Sequence, residues 1–306
     1  MNLTGNLLLM AMFVSQAWGQ SDPLPPGDHL RGLIIGGQKR SYLMHIPARH
    51  DPNQPAPVVL ALHGAAMNGP MMAVFCGLNV NSDEAGFIAV YPSGTGAGPF
   101  LVWNAGGFGG KQAEGRVDDV AFISRVIDEV AKSVKVDTNR VYACGMSNGA
   151  MMCYRLAAEL SDRIAAIAPV AGTIAISESK PKRPVPVLHF HGTEDALVPF
   201  ARSAGKRQSF MRLKGAEESV LAWVALNGCL AEPRLEVLSK AGDELKVTRK
   251  TYSGGRNGSE AVLVTIEGGG HTWPGMKPMV SFIGKSATNV SANALIWDFF
   301  SRHPMK

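Results

Sequence analysis

The feature that most constrains the fold of this chain is the pentapeptide Gly145-Met-Ser-Asn-Gly149. It follows a β-branched and aromatic run at 141–144 and precedes apolar residues at helical spacing, Met151, Met152, Leu156 and Leu160. A strand that turns this sharply into a helix strains the residue at its apex, and flanking glycines let strand and helix approach closely. We therefore predict that Ser147 lies at the apex with its hydroxyl exposed, as a candidate nucleophile. The alternative is a simple helix start capped by Ser147.

A nucleophilic serine requires a base that takes its proton and an acid that orients the base. Asp195 follows a strand-like run at 185–189 and leaves room after Ser147 for a helix, a strand and a crossover. Glu194 is the alternative acid, but Asp195 begins an Asp-x-x-Val-Pro pattern that is more typical of this role. Asp195 is therefore the predicted acid.

His271 is the predicted base. It follows a strand-like run at 261–266 and the glycine run 268–270, which lets a loop fold back over Ser147. The other histidines occupy polar, terminal or strand positions or precede a glycine, and we interpret them as structural: His29, His45, His50, His63, His189, His191 and His303.

A carbonyl group under attack also needs hydrogen-bond donors for the negative charge that develops on its oxygen. The apolar run 58–62 ends in His63-Gly64-Ala65, a turn typical of the place where a backbone N–H meets such an oxygen. We predict that the N–H groups of Ala65 and Asn148 are the two donors. We interpret His63 as a residue that hydrogen bonds the loop and shapes it.

Strand-like and helical patterns alternate along the chain. Strands are predicted near 41–46, 58–62, 87–91, 141–144, 165–169, 185–189 and 261–266. The strongest helical pattern covers 119–134, and Asp118 and Asp119 at its start are interpreted as favourable charges at a helix N-terminus rather than a catalytic pair. The alternation predicts an α/β fold with a mostly parallel central sheet flanked by helices. Because the predicted site residues follow strands, they should meet at the carboxyl edge of that sheet.

Several sequence blocks in fixed order resemble a known family. The blocks are Leu62-His63-Gly64, Tyr91-Pro92-Ser93-Gly94, Trp103-Asn104, Val117-Asp118-Asp119-Val120, Gly145-Met-Ser147-Asn-Gly149, His191-Gly192-Thr-Glu-Asp195, Val198-Pro199, Asn227-Gly228-Cys229 with Trp223, and Gly269-Gly-His271-Thr-Trp273-Pro274. From about residue 36 to residue 300, the chain resembles the α/β-hydrolases that include secreted polyhydroxybutyrate depolymerases, feruloyl esterases and acetylxylan esterases.

The resemblance implies an α/β-hydrolase fold and hydrolysis of a carboxylic ester through an acyl-serine intermediate, with no metal or organic cofactor. Relatives that erode solid polyester append a linker and an adsorbing module, whereas this sequence ends at Lys306. We therefore expect a small-molecule or oligomeric ester as substrate. The alternatives are a serine peptidase of the same fold and a non-catalytic binding protein derived from it.

The segment 93–116 is rich in glycine but lacks the spacing and the helix of a phosphate-binding loop, and we interpret it as a rim over the site. Trp103 lies in this segment and Trp273 lies beside the predicted base. These two indoles either wall a substrate pocket or anchor their loops by packing, and the sequence leaves both interpretations open.

The four cysteines allow at most two disulfides. Relatives carry a cysteine shortly before the final strand that pairs with the one in the Asn-Gly-Cys block, and the corresponding stretch 252–258 has none. Cys144 and Cys153 are expected to be buried thiols beside the Ser147 turn. If any bridge forms, the expected pairing is Cys76 with Cys229.

The beginning of the chain resembles a secretory signal peptide. An apolar run at 7–14 precedes Ala17-Trp-Gly19, although lysine and arginine are missing from its start, and the run is too short for a stable membrane anchor. We expect residues 1–20 to be removed near Gly19, with the mature protein secreted or periplasmic and beginning with a loose Pro-rich lead-in from Ser21 to Asp28.

Composition fits one catalytic domain over residues 21–306. With 306 residues, 46% apolar and 18% charged, the chain can bury a large core. The net charge of +5 is thinly spread, and the only notable basic cluster is Lys206, Arg207, Arg212 and Lys214. Nucleic-acid binding is not expected, because no basic stripe interleaved with aromatic residues occurs. The sequence does not indicate an oligomeric state.

Overall fold

The computed structural model describes residues 24–106, 118–201, 213–278 and 280–306. Within them, strands β1 to β12 cover Gly27–Ile35, Gln38–Ile46, Ala56–Leu62, Ile88–Pro92, Thr95–Ala97, Phe100–Val102, Val136–Met146, Ile167–Val170, Val187–Gly192, Arg234–Val237, Val247–Tyr252 and Ala261–Ile266. Helices α1 to α6 cover Gly69–Cys76, Leu78–Ala85, Asp119–Ser133, Asn148–Glu159, Ala216–Asn227 and Ala292–Arg302.

Ten of these strands form one sheet in the order β1-β2-β4-β3-β7-β8-β9-β12-β11-β10. The six central strands, from β4 to β12, run parallel to one another, whereas β1 and β2 on one side and β11 and β10 on the other pair antiparallel. Strands β5 and β6 form a separate hairpin. The predicted α/β class and the mostly parallel central sheet are thereby confirmed.

Helices cover both faces of the sheet. Helices α3, α4 and α5 contribute buried residues to one apolar cluster, and α1, α2 and α6 contribute to the other. The strands between them are continuous apolar runs, as expected for parallel strands buried on both faces. Strand β3, for example, is buried at all seven positions. This double burial fixes the central strands and hence the edge at which their carboxyl ends meet.

Helix α3 begins as its sequence pattern predicts. The Asp118 side chain caps the helix by accepting a hydrogen bond from the Ala121 N–H. Asp119 does more than provide a favourable charge, because it is buried, pairs with Arg40 at 2.7 Å and accepts the Asn104 N–H. The pair joins β2, helix α3 and the segment after β6.

Several strands at the sheet margins were not predicted. Strand β1 begins at Gly27, so the expected loose lead-in to Asp28 is wrong at its end. β1 forms an edge of the sheet, and its residues alternate between half-buried and exposed. Glycine and charged residues are tolerated at such positions, and they make the apolar pattern by which a strand is predicted less clear. Strand β10 forms the other edge and is exposed for the same reason, whereas β11 lies between β10 and β12 and has polar, half-buried residues at its centre. The segment after residue 93 contains the β5–β6 hairpin, while the rest of the predicted rim, 107–116, lies outside the described residues.

The cysteine pairing was predicted incorrectly. All four cysteines are free thiols. Cys76 belongs to the apolar cluster under α1, α2 and α6, whereas Cys229 packs against the cluster on the opposite face of the sheet. The sheet therefore separates the two sulfur atoms. Cys144 and Cys153 are buried, as expected.

No helix in the described parts of the chain is both long and apolar enough to cross a membrane. The predicted signal peptide lies outside the described residues, as do Lys206, Arg207 and Arg212 of the basic cluster.

Candidate active site

Ser147 occupies a sharp turn between β7, which ends at Met146, and α4, which begins at Asn148. Its backbone has φ 56° and ψ −116°, a conformation that costs a non-glycine residue about 1–3 kcal/mol. The Ser147 N–H donates to the Val170 carbonyl at 2.8 Å, which ties the turn to the neighbouring strand. The side chain is only partly buried, whereas the residues on either side of it are buried. The structure thus exposes the predicted serine at the apex of a strained turn.

Three glycines make this turn possible. A Cβ atom on Gly149 would clash with the Leu62 carbonyl, and one on Gly145 would lie 2.7 Å from the Gly149 backbone. Gly172 was not predicted, and a Cβ atom there would clash with the Ser147 carbonyl. Gly172 lies two residues after β8, the strand next to β7. A glycine at this position was the sequence signal that could have predicted the close contact with the Ser147 turn.

Asp195 lies three residues after β9 with both carboxylate oxygens engaged. Oδ1 accepts the backbone N–H groups of Leu197 at 2.9 Å and Val198 at 2.8 Å. Oδ2 accepts from His271 Nδ1 at 2.7 Å. The alternative acid Glu194 is exposed at the neighbouring position. The structure therefore pairs Asp195 with the predicted base.

His271 follows β12, the strand next to β9. A Cβ atom on Gly192 would clash with the backbone of Gly269 and lie 2.5 Å from the Gly270 carbonyl oxygen, so the acid and base loops pack backbone against backbone. The His271 N–H in turn donates to the Ile283 carbonyl at 2.6 Å. The glycine run therefore lets the base loop pack against the acid loop, a role that differs from the predicted one of folding over Ser147.

Strands β7, β9 and β12 are members of the parallel part of the sheet, so Ser147, Asp195 and His271 all follow its carboxyl edge. The His271 Nδ1–Asp195 contact is formed, but Ser147 Oγ and His271 Nε2 do not form a hydrogen bond in this structure. Contacts of this kind are often long without substrate and tighten when substrate binds.

The backbone N–H groups of Ala65 and Asn148, both near Ser147, have no acceptor among the described residues. The next N–H in the loop, from Ala66, donates to the Leu101 carbonyl at 2.9 Å. We call residues 63–67 the oxyanion loop. Both N–H groups that the sequence predicts as donors therefore lack an acceptor in the protein, and their role as donors stays a prediction.

Trp103 ties the oxyanion loop to the Ser147 turn. Its indole Nε1–H donates to the His63 carbonyl at 3.0 Å. Its backbone N–H donates to Asn148 Oδ1 at 2.6 Å, and its carbonyl accepts from Asn148 Nδ2 at 3.2 Å. The Trp103 ring also lies 4.9 Å from the His63 ring. Trp103 thereby connects both segments that carry the candidate donors, one through its side chain and the other through its backbone.

Neither tryptophan predicted to bind substrate presents surface to solvent. Trp103 is 0% exposed and Trp273 is 1% exposed. Trp273 donates its Nε1–H to Asn293 Oδ1 at 2.9 Å, and Asn293 Nδ2 donates to the Cys76 carbonyl. A side chain without exposed surface does not touch a bound ester unless its loop moves. The geometry therefore favours the loop-anchor interpretation for both residues.

His63 hydrogen bonds on both sides of its ring. Nδ1–H donates to the Gly64 carbonyl at 2.7 Å, and Nε2 accepts the Gly94 N–H at 2.9 Å. Burial lowers the pKa of His63 to about 4, so the ring is neutral at neutral pH. These bonds support the interpretation that His63 shapes the loop.

Two histidines interpreted as structural lie behind the acid. His189 and His191 are buried on β9, and together with Tyr154 of α4 they form a hydrogen-bonded column that ends beside Asp195. Parallel strands buried on both faces are normally apolar, so two polar residues at i and i+2 in β9 were a signal that the sequence offered. Among the described residues, no group of three or more His, Cys, Asp or Glu side chains is placed to hold a metal ion.

Comparisons with known proteins show the family of this chain. A family model described as Esterase PHB depolymerase matches residues 40–179. NocK of Nocardia uniformis subsp. tsuyamanensis, which its name places among esterases, is 33% identical over 265 residues, covering 80% of this chain and 74% of NocK. Feruloyl esterase D of Neurospora crassa is 26% identical over 312 residues, covering 97% of this chain and 95% of the relative.

Among solved structures, the acetyl xylan esterase from Aspergillus awamori matches with a TM-score of 0.58 at 16% identity. The match covers 80% of this chain and 94% of that chain. At this identity the likeness concerns the fold alone, and it confirms the predicted α/β-hydrolase fold.

Proposed function

Because this chain belongs to the esterase family of polyhydroxybutyrate depolymerases and feruloyl esterases and is a carboxylic ester hydrolase, we propose that it works through an acyl-serine intermediate on Ser147. The observation that carries the proposal is the Asp195–His271 hydrogen bond at the same sheet edge as the strained Ser147 turn. The strained backbone of this turn makes the folded state less stable, and strain of this kind is typically kept at functional sites.

In this mechanism His271 Nε2 removes the proton of the Ser147 hydroxyl as Oγ attacks the ester carbonyl carbon. Asp195 Oδ2 accepts the Nδ1–H of His271, which leaves the Nε2 lone pair free to act as the base. The imidazolium then gives its proton to the leaving alcohol. Water, deprotonated by the same imidazole, attacks the acyl-enzyme, and the acid product leaves Ser147 regenerated.

The negative charge on the carbonyl oxygen is received by the N–H groups of Ala65 and Asn148. Both donors belong to backbone that is fixed before substrate arrives: Trp103 holds the oxyanion loop, and α4 begins at Asn148. Donors that need no reorganisation stabilise the developing charge most effectively. Their fixed position supports their assignment.

The substrate class that we propose is a soluble or oligomeric carboxylic ester. The names of relatives, feruloyl esterase and acetyl xylan esterase, indicate acyl groups on carbohydrate as the first candidates. A panel of short aryl esters, feruloylated sugars, acetylated xylan and hydroxybutyrate oligomers would rank them. Matched amides in the same panel test the serine peptidase alternative, for which amide turnover would equal or exceed ester turnover.

Covalent labelling tests the nucleophile. A fluorophosphonate probe should label the folded wild-type protein at Ser147, and Ser147→Ala should abolish both labelling and ester turnover. Ser301→Ala, an exposed serine on α6, is the matched control and should behave as wild type. Labelling elsewhere, or turnover retained in Ser147→Ala, would contradict the mechanism. Folded wild-type protein that forms no adduct and hydrolyses no ester would favour the non-catalytic binding alternative.

We also propose that residues 1–20 direct export and are removed near Gly19, leaving residues 21–306 as one catalytic domain in the secreted or periplasmic protein. The apolar run and the small residues before Gly19 support this. N-terminal sequencing of protein recovered outside the cytoplasm should begin near residue 20. Recovery of the intact N-terminus from that fraction would contradict it.

A further inference from the structure

A column of three buried polar side chains stands behind the candidate acid. Tyr154 Oη lies 2.8 Å from His189 Nδ1, and His189 Nε2 lies 3.0 Å from His191 Nδ1. His191 Nε2 lies 2.7 Å from the Val198 carbonyl oxygen. Tyr154 and His189 are fully buried and His191 is 1% exposed. We call Tyr154, His189 and His191 the histidine column.

The partners fix the direction of every hydrogen bond in the histidine column. The Val198 carbonyl only accepts, so His191 Nε2 carries the proton and its Nδ1 is an acceptor. His189 must then donate from Nε2 and accept at Nδ1, and Tyr154 must donate its hydroxyl. Burial lowers the pKa of both histidines, which keeps the rings neutral and this assignment intact. All three donors therefore point toward the loop that carries the acid.

The column ends on the atoms that position Asp195. Val198 accepts the His191 proton at its carbonyl and donates its own N–H to Asp195 Oδ1. His191 Nε2 is also 3.5 Å from Asp195 Oδ2, the oxygen that accepts from His271. His191 Nε2 thus lies next to both ends of the turn 195–198, the Asp195 carboxylate and the Val198 carbonyl.

Placing such groups in a core is costly. Each buried polar group must recover its lost hydration through a hydrogen bond, and apolar side chains of similar size fill a core without that cost. The surroundings are otherwise apolar: the Trp223 ring lies 6.3 Å from Tyr154, and the Phe200 ring lies 5.9 Å from His191. The two imidazoles stack at 5.2 Å with an interplanar angle of 7°. Packing alone does not require polar atoms here.

We propose that Tyr154, His189 and His191 are positioning residues that hold the Asp195 carboxylate in the orientation that His271 needs. The inference rests on the proposed function, in which Asp195 orients the base for Ser147. The histidine column touches neither substrate nor Ser147, and it acts through the turn at residues 195–198.

Substitutions along the column test this. His191→Phe keeps an aromatic ring but removes the donor to Val198, and we expect kcat for a soluble aryl ester to fall roughly 10- to 100-fold with KM unchanged. His191→Gln places an amide N–H where Nε2 was and should recover most of the activity. Tyr154→Phe removes only the first hydroxyl and should lower kcat by about fivefold.

Tyr142→Phe is the matched control. Tyr142 is a buried tyrosine on β7 in the cluster on the other face of the sheet, and its hydroxyl has no partner among the described residues. It should retain wild-type kcat. The low-field proton resonance of His271 Nδ1–H reports the bond to Asp195 directly, and it should weaken in His191→Phe and persist in His191→Gln and Tyr142→Phe.

The outcomes separate the two levels of the proposal. If Ser147→Ala retains turnover, the proposed function fails and the inference fails with it. If Ser147→Ala is inactive while His191→Phe and Tyr154→Phe keep wild-type kcat and the low-field resonance, the mechanism stands and the positioning role is refuted. If His191→Phe does not fold, Tyr154→Phe and His191→Gln decide: a Tyr154→Phe protein equal to Tyr142→Phe in kcat refutes the role.

Discussion

Replacing Asp195 by asparagine tests the assignment of base and acid through the geometry of a single carboxylate. Oδ1 accepts two backbone N–H groups, from Leu197 and Val198, and Oδ2 accepts one proton from His271. An asparagine side chain has one acceptor oxygen and one NH2 group. Its oxygen will take the Oδ1 position, because two fixed donors face that point. The NH2 group must then face His271 Nδ1.

The size of the effect follows from this orientation. A donor facing Nδ1 forces that nitrogen to accept, so the imidazole proton moves to Nε2 and the lone pair needed by Ser147 is lost. Loss of the correct tautomer in this way lowers kcat by about 10⁴-fold, or about 5 kcal/mol of transition-state stabilisation. Both backbone hydrogen bonds to Oδ1 survive, so Asp195→Asn should remain folded.

The assay is steady-state hydrolysis of a soluble aryl ester, with a thermal melt of each variant. Glu194→Gln is the matched control, because it removes one negative charge from the exposed neighbouring position and should keep kcat within about twofold. An Asp195→Asn protein that retains more than about a tenth of wild-type kcat would refute the reasoning, since no tautomer change of this kind is so mild. A Glu194→Gln protein that loses as much would transfer the role to Glu194.

Three further outcomes are expected. Gly149→Ala should lower the free energy of unfolding by about 1–3 kcal/mol in urea titrations, because the new Cβ atom would clash with the Leu62 carbonyl. In the control Gly32→Ala, the new Cβ atom would lie 3.6 Å from the Arg40 carbonyl oxygen and should change the free energy little. Equal effects of the two substitutions would contradict the close approach at Gly149. Trp103→Phe removes the bond to the His63 carbonyl and should lower kcat about 5- to 10-fold with KM unchanged, so wild-type kcat would disprove the role of that bond. Because burial lowers the pKa of His63 from 6.5 to about 4, the unfolded chain binds more protons between these values, and the free energy of unfolding should fall by up to roughly 3 kcal/mol as the pH drops through that interval. Urea titrations at pH 7 and pH 4 measure this fall, and constant stability would contradict it.

The central part of the fold was predictable because it is buried on both faces. Strand β12 occupies the predicted 261–266, and α3 begins at the predicted Asp119. Continuous apolar runs and one-sided helices are direct consequences of that burial. The edge strand β1 lacks this signal, because only alternate residues contact the core and its pairing with β2 depends on the rest of the sheet.

The site divides in the same way. Residues that follow strands in a recognisable pattern, such as Ser147 and Asp195, could be predicted as site candidates from local sequence. The histidine column was missed, because its meaning depends on which residues of α4 face β9, a fact of tertiary packing. Likewise, the buried position of Trp103 goes with hydrogen bonds between its backbone and the side-chain amide of Asn148, 45 residues away, and spacing along the chain does not reveal such a contact.

The side-chain amide of Asn148 hydrogen bonds to the backbone N–H and carbonyl of Trp103, whereas the backbone N–H of Asn148 has no acceptor among the described residues. The hairpin that ends at Val102 also hydrogen bonds to Met67, through the Leu101 N–H. The hairpin and the N–H groups proposed as oxyanion donors are therefore linked by hydrogen bonds. A change that displaces the hairpin should also shift these proposed donors, so we expect a redesigned hairpin to alter turnover by this enzyme even at positions that do not touch the substrate.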